Sequence, residues 1–549
     1  LILTSRPTLL RDIQRGLLAL PPAFLVAAPL CVLLLSWLRI DGATWAHLWA
    51  TLLPEMLLNT GLLVAGVALV ALAIGAGLAW IVTAYRFPGA RVLEWLLALP
   101  LAMPGYVLGY VFMSIFDFAG PVQTCLRGWF GDGFELPDIR SLPGAIVVLA
   151  LATYPYVYLL ARAAFREQSA AQRDAARAAG YGDWSIFLRV ALPLARPALA
   201  AGAGFVIMET LADFAVVRYF NVVTLSEGVV RLWIVSSDRD SAVQLASLLM
   251  LAGFGTLLLE RALRNRARFD QVGSRARPVQ PRQLRGRTAL LALGAALAVF
   301  VLAFGLPAWQ LIDWARQELA TAEPASLAVT FTQHLPNSLA LASTAALIVL
   351  LTGLLMVYAL RTRSGANPWL ARLIGRAATL GYALPGSVVA LGMLLLLSSF
   401  NDPAATIFGT AFLLSGSLPG LLYGYTVRFI AIGFNGIESG LEKITPNMET
   451  AARTLGATTS RIFGRVHAPL LRGSLLTVAL LVFVDVLKEL PLTLFLRPFG
   501  MDTLSVWTFM LASESAWQSA ALPALIIVAL SAGPALLLLR WTRADGNAT

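Results

Sequence analysis

Charge is scarce in this chain. Asp, Glu, Lys and Arg make up 13% of its 549 residues against 58% hydrophobic residues, too little to cover the surface of a water-soluble protein of that size. Cysteine occurs twice, Cys31 inside an apolar run and Cys125 in a connecting segment, which excludes a disulfide framework and a thiolate metal centre. The three histidines, His47, His334 and His467, are scattered across connecting segments, so no histidine metal site is expected. Lysine is rarer still: Lys443 follows Glu442 and Lys488 follows Leu487. A phosphate-cradling G-x-x-x-x-G-K-[ST] loop needs glycine before its lysine, and neither position qualifies. Catalytic residues are assigned nowhere, and any nucleotide hydrolysis that drives this chain has to come from a partner.

Apolar runs of about 18 or more residues, enough to cross roughly 30 Å of hydrocarbon, recur along the whole length. Their continuity predicts helices rather than the alternating strands of a membrane barrel. The runs are about Gly16 to Leu38, Leu57 to Thr83, Val92 to Phe116, Leu142 to Phe165, Pro197 to Phe220 and Ala242 to Leu263, then Thr288 to Ile312, Asn337 to Leu360, Leu373 to Ser398, Ala404 to Phe434, Gly473 to Leu496 and Ser519 to Trp541. The first is too long for a signal-peptide core and reads as a retained helix. The expected fold class is therefore an all-α polytopic membrane protein of about twelve transmembrane helices.

Of the 41 Lys and Arg, 32 fall on one side of these runs and 8 on the other, with Lys488 inside a run. The positive-inside rule then puts both termini in the cytoplasm. It also puts there the basic linker Arg264 to Arg287 and two polar interruptions, near 170–195 and 446–471. The formal charge of +11 is thus a statement about topology, and no nucleic-acid partner is expected; part of the linker could touch anionic lipid.

The two interruptions repeat one pattern. Asp174, Ala175, Ala176 and Gly180 lead to Pro193, and Thr450, Ala451, Ala452 and Gly456 lead over the same interval to Pro469, with Glu449 one position ahead of the second copy. An alanine-rich turn stopped by a glycine able to adopt the left-handed cap is followed by a short amphipathic segment, Trp184 to Val190 or Arg461 to Val466. The proline is then expected to open the next apolar helix, where its missing N–H costs nothing. Each copy predicts a stiff helical hairpin suited to docking. Aligning Gly180 with Gly456 also carries Glu209 onto Asp485 and Asp213 onto Glu489; with small shifts, Pro104-Gly105 matches Pro385-Gly386. The domains expected are a first six-helix repeat, 1–263, the linker 264–287, and a second six-helix repeat, 288–549, related by a pseudo-twofold along the membrane normal.

At the doubled hairpin the chain resembles the permease subunits of bacterial binding-protein-dependent ABC importers of type I, whose signature is Glu-Ala-Ala, three residues, Gly, nine residues, Ile, one residue, Leu-Pro. Asp174 replaces the leading Glu in the first copy and Thr450 in the second; the spacing is intact in both. The stretch Met208 to Phe214 and the stretch Lys488 to Phe499 look like the fused ferric-iron permeases. The resemblance implies a multi-pass bacterial inner-membrane subunit with two copies of a cytoplasmic ABC ATPase, which bind the ATP and Mg, and a periplasmic substrate-binding protein. It makes Asp174, Ala175, Ala176, Gly180, Pro193, Glu449, Ala451, Ala452, Gly456 and Pro469 the ATPase-coupling residues. Fused permeases for thiamine share the architecture, and polyamine or phosphonate permeases are alternatives, as is a proton-coupled secondary transporter.

Glu209, Asp213, Asp485 and Glu489 lie in the apolar runs, each pair at i, i+4 and so on one helical face. A carboxylate at that depth is costly unless it meets a cavity or a partner. Two readings stay open: the four converge to line a pathway and hold a hard trivalent cation transiently, or they are interhelical glue, with Asp485 paired to Lys488. Pro104-Gly105 and Pro385-Gly386 break backbone bonding within their runs and make either gating hinges or static kinks.

Overall fold

The computed structural model describes residues 20–38, 42–235, 238–265, 281–321, 324–361, 384–401, 414–442 and 444–546, together with 375 and 381. Along the chain the elements used below are α1 (Leu20–Leu35), α2 (Leu53–Ala84), β1 (Tyr85–Arg86), α3 (Gly105–Phe116), α4 (Leu142–Glu167), α5 (Ala170–Ala178), α6 (Arg196–Ala212), α7 (Ala215–Tyr219), α8 (Arg239–Asn265) and β2 (Arg282–Gln283). They continue with α9 (Leu306–Thr321), α10 (Leu335–Arg361), α11 (Gly386–Ser398), α12 (Leu418–Glu442), α13 (Pro446–Thr454), α14 (Ala468–Leu487), α15 (Pro491–Leu496) and α16 (Trp517–Gly546). The fold is all-α and polytopic, because hydrocarbon offers a backbone no hydrogen-bond partner but itself. Eight helices are long and apolar enough to cross a membrane among the described residues, and two bent pairs raise the number to ten. The two remaining expected spans, Leu373 to Ser398 and Ala404 to Phe434, begin partly outside the described residues and are represented by α11 and α12. The start of Gly16 to Leu38 and linker residues 266–280 also lie outside them.

Of the expected helices that lie wholly within the described residues, three are interrupted. Val92 to Phe116 is broken by extended backbone at Met103 and Pro104 before α3 begins. Pro197 to Phe220 stops at Ala212 and resumes as α7, and Gly473 to Leu496 stops at Leu487 and resumes as α15. The entry prolines also differ from expectation, since they lie inside continuous helical backbone and not at its start. Each of four prolines, Pro193, Pro307, Pro336 and Pro469, stands two positions after a π-turn: Phe187–Ala191, Val301–Gly305, Thr330–His334 and Phe463–His467. The residue just ahead of each proline bonds back five positions, as Leu192 N–H does to the Phe187 carbonyl and Ala468 N–H to that of Phe463. A proline ring crowds the carbonyl four positions earlier and has no hydrogen for it. One widened turn absorbs that misfit without stopping the helix. All three histidines sit in helical segments rather than in loops, His47 in the Gly42–Thr51 helix and His334 and His467 closing π-turns.

The chain divides into two compact units that differ from its sequence repeats. The first comprises Asp41–Glu323 with Trp507–Thr549, the second Leu1–Ile40 with Pro324–Val506. In the first unit α2 packs along α4, where a Cβ on Gly75 would lie 2.7 Å from the Val157 Cβ and 2.9 Å from the Tyr154 carbonyl oxygen. The corresponding pair in the second unit is α10 on α12, with Gly353 against the Gly433 backbone. Small residues let such helices approach closely where lipid supplies no hydrophobic drive. Helices α9 and α16, both from the second half of the sequence, pack together in the first unit, and Tyr110 of α3 stacks on Trp314 and Trp517 with ring centroids 6.2 and 6.0 Å away. Helix α1, from the first half, packs on α11 in the second unit, where a Cβ on Gly392 would lie 2.6 Å from the Pro29 carbonyl oxygen.

Candidate functional site

Both hairpins fold as their glycines dictate. In the first, the Ser169 hydroxyl opens α5 by accepting from the Ala171 N–H at 3.2 Å. Gly180 ends it at φ +84°, with its N–H on the Arg177 carbonyl and that of Tyr181 on the Ala176 carbonyl at 2.9 and 3.0 Å. In the second, Gly456 has φ +77°, its N–H reaches the Arg453 carbonyl and that of Ala457 the Ala452 carbonyl, again at 2.9 and 3.0 Å. These are Schellman caps. Nothing lies within 4 Å of a Cβ at either glycine, so the left-handed backbone, and not crowding, is what demands glycine there. Asp174, Ala175 and Ala451 are exposed, Ala176 is buried and Ala452 half-buried. Trp184 and Leu188 in the first copy and Met448 and Leu455 in the second present apolar side chains to solvent. Asp174 lies 3.8 Å from Arg177.

The two copies continue differently. After the first, the helical run Asp183–Leu194 meets α6 at an angle of 76°, whereas the run from Ser460 to Leu487 continues as one span. Pro197, which cannot donate to the Pro193 carbonyl, is replaced at the equivalent position by Gly473. The first hairpin is also tied to the end of the linker: Leu284 N–H donates to the Arg86 carbonyl beside the parallel pair β1–β2, and Arg282 reaches Asp183 at 3.0 Å.

Two residues ahead of each Ala-Ala pair, the side chain turns inward. Arg173 is buried, donates to the Phe165 carbonyl at 3.0 Å and to Gln168 Oε1 at 3.4 Å, and lies 4.6 Å over the Trp80 ring. Burial pushes its guanidinium down to about 10, with Arg177 nearby adding to the effect, so it stays charged at neutral pH. Its counterpart Glu449 approaches His467 Nε2 at 3.2 Å, and His467 Nδ1 is hydrogen-bonded to the Tyr358 hydroxyl.

The four intramembrane acids straddle the helix breaks, so an acid pair does not share one unbroken helical face. Glu209 is in the last turn of α6 and accepts from the Tyr156 hydroxyl at 3.3 Å. Asp485, in the last turn of α14, pairs with Lys488 at 3.0 Å. Asp213 and Glu489 are built alike. Each carboxylate caps the short helix after the break, Asp213 accepting from Val216 N–H at 2.8 Å and Glu489 from Leu492 N–H at 3.2 Å. Each backbone carbonyl accepts from a serine, Ser226 at 3.0 Å and Ser505 at 2.8 Å. Each packs on the glycine that opens a helix: a Cβ on Gly105 would lie 2.8 Å from Asp213 Oδ2, and one on Gly386 would strike both Glu489 and Arg428. Pro104 and Pro385, just ahead of these glycines, are themselves extended, at ψ of 143° and 141°.

Arg428 was not among the expected site residues. It lies within α12, almost buried, 2.8 Å from Glu489. Its signal was there to be read, a single arginine inside an apolar run. No cluster of three or more His, Cys, Asp or Glu with metal-binding geometry occurs among the described residues.

Two capped hairpins, each attached to a long apolar helix in a bundle of spans, define a membrane-embedded transport subunit. Residues 70–320 and 350–543 match the family described as the binding-protein-dependent transport system inner membrane component. The chain belongs to that family and is an integral inner-membrane protein; its relatives are permease subunits, which are not enzymes. The chain is 24% identical over 495 residues to the Fe(3+)-transport system permease protein FbpB 2 of Haemophilus influenzae, covering 89% of this chain and 90% of the relative. It is 30% identical over 238 residues to the sulfate transport system permease protein CysT of Escherichia coli, 40% of this chain and 83% of the relative. It is also 30% identical over 146 residues to the molybdenum transport system permease protein ModB of the same organism, 27% of this chain and 62% of the relative.

Proposed function

We propose that this chain is the whole membrane pathway of an ATP-driven importer for ferric ion, delivered by a periplasmic binding protein and driven by two copies of a cytoplasmic ABC ATPase that hold the ATP and Mg. The observation that carries the reading is the pair of hairpins with the same cap geometry, each joined to a span and each offering exposed apolar side chains. In this reading both termini and both hairpins face the cytoplasm. Closure of the ATPases draws the hairpins together, a population shift between two packings of the spans. Glu209, Asp213, Asp485 and Glu489 give the passing cation hard oxygen contacts, and Pro104-Gly105 and Pro385-Gly386 are the points about which α3 and α11 swing. The likeness to an Fe(3+) permease along almost the whole chain supports iron. The likeness to a sulfate permease over 40% of the chain and to a molybdenum permease over 27% supports an oxyanion as the second reading, for which Arg428 would be the contact.

The test is reconstitution of the chain with its ATPases in proteoliposomes. Ferric-loaded binding protein stimulates ATP hydrolysis and iron enters; an assembled complex that shows no stimulation counts against the proposal, and stimulation by sulfate- or molybdate-loaded protein alone selects the second reading. Replacing Glu209 and Asp485 with Ala lowers uptake more than assembly. Unchanged uptake makes them purely structural.

A further inference from the structure

The repeats align so that Arg173 falls on Glu449, Phe187 on Phe463, Ala191 on His467 and, in the register set by Asn59 and Asn337, Trp80 on Tyr358. Opposite charges at one repeated position are unexpected if that residue greets the same partner twice. The contacts explain the difference. Trp80 packs on Phe187 with ring centroids 5.3 Å apart, and Tyr358 on Phe463 at 5.5 Å. In each copy the aromatic near the end of the first long core helix therefore grips the residue that opens the π-turn.

The second contact closes the hairpin on itself. In the first copy Gln168 Nε2 donates to the Ala191 carbonyl at 2.9 Å while Arg173 bonds to Gln168 and covers Trp80. In the second, Glu449 meets His467, which bonds to Tyr358. With Nδ1 accepting from the Tyr358 hydroxyl, the neutral tautomer would carry its hydrogen on Nε2, 3.2 Å from the Glu449 carboxylate. Both sets join the hairpin's first leg, the last residue of its π-turn and the core helix.

We propose that Glu449, His467 and Tyr358 form an anchor that fixes the second coupling hairpin to α10, and that Arg173, Gln168 and Trp80 are its chemically different equivalent on the first. Glu449 is thus a positioning residue rather than a docking acid. A hairpin that swings on its own span would absorb a push at its tip; an anchored one passes the push into the core helix. The inference rests on the reading of the chain as an ATP-driven permease.

The experiment compares wild type, Glu449→Gln and Glu449→Ala as full chains reconstituted with the ATPases, reading iron taken up per ATP hydrolysed in the presence of ferric-loaded binding protein. Gln keeps an oxygen for Nε2–H and retains the wild-type ratio, whereas Ala lowers it several-fold. A docking acid would lose as much in Gln as in Ala, and that result, or a wild-type ratio in Ala, overturns the anchor. Adding His467→Ala to Glu449→Ala brings no further loss, since the pair acts as one unit; additive losses overturn it. Transplanting the first set, as Glu449→Arg, Ile444→Gln, His467→Ala and Tyr358→Trp together, restores the ratio that Glu449→Arg alone destroys, and this arm decides if Glu449→Ala fails to assemble. Wild type that shows no stimulated hydrolysis defeats the proposed function instead, so the two failures are distinct.

Discussion

Glycine does different work at two kinds of position in this chain. At Gly180 and Gly456 it supplies a left-handed backbone, whereas at Gly105 and Gly386 it makes room for a carboxylate. A Cβ on Gly105 meets a single oxygen of Asp213, but one on Gly386 meets the Arg428–Glu489 pair, whose two members hold each other in place. Gly386→Ala should therefore cost more stability than Gly105→Ala, within the roughly 1–3 kcal/mol typical of overpacking, as read from unfolding of the purified protein in detergent. Arg428 makes a sharper case. Glu489 is almost fully buried, so Arg428→Met strands a carboxylate and should cost about 3–5 kcal/mol. Adding Glu489→Gln should recover most of that, because the amide oxygen can still cap Leu492. Equal stability of the single and double variants would show that the ion pair does not hold this corner. Residue types alone disclosed the acids, since charge in an apolar run stands out. They did not disclose that Asp213 and Glu489 spend hydrogen bonds on the chain itself, because that depends on where the helix stops.

Among the elements, the prolines separate a helix that widens from one that bends. A lone proline two positions after a π-turn leaves the run continuous, as Pro469 does on entering α14. Pro193 is followed by Pro197, and there the run turns by 76°. Pro197→Ala restores an N–H facing the Pro193 carbonyl and should straighten the elbow. Spin labels at Leu188 and Phe205 should report a longer separation in Pro197→Ala than in wild type, while Gly473→Pro in the second copy should shorten the distance between the matching labels at Gly464 and Leu481. No change in either pair would mean that packing of the hairpin, and not proline, sets the angle. The hairpins themselves were legible in the sequence because an Ala-rich turn ended by glycine is a local signal. The π-turns were not, since a proline reads equally well as a helix start until the bonds of the preceding residue are known.

For the whole molecule, the repeats of the sequence and the units of the fold are different partitions. Hydropathy periodicity placed the spans and internal alignment paired them, yet neither carries information about which span leaves its own repeat. That choice is made by close packing: the rings of Trp314 and Trp517 on Tyr110, and the Pro29 carbonyl against Gly392. Each unit thus needs residues from both halves of the chain, and this yields a direct test by cutting the linker. Residues 1–263 expressed alone lack α9 and α16 and leave the Tyr110 ring uncovered; residues 288–549 alone lack α1 and leave the Gly392 face of α11 open. Stacked aromatic pairs contribute about 0.5–1.5 kcal/mol each beyond the area they bury, so losing both partners of Tyr110 is a substantial fraction of the few kcal/mol by which a domain is stable. Neither half should accumulate by itself in the membrane. Expressed together as separate polypeptides, they should co-purify, and Tyr110→Ala in the first half should weaken that association more than Tyr110→Phe, which keeps the ring. A half that is stable and monodisperse on its own would mean that each repeat folds as a closed unit and that the exchanged helices are not required to complete it.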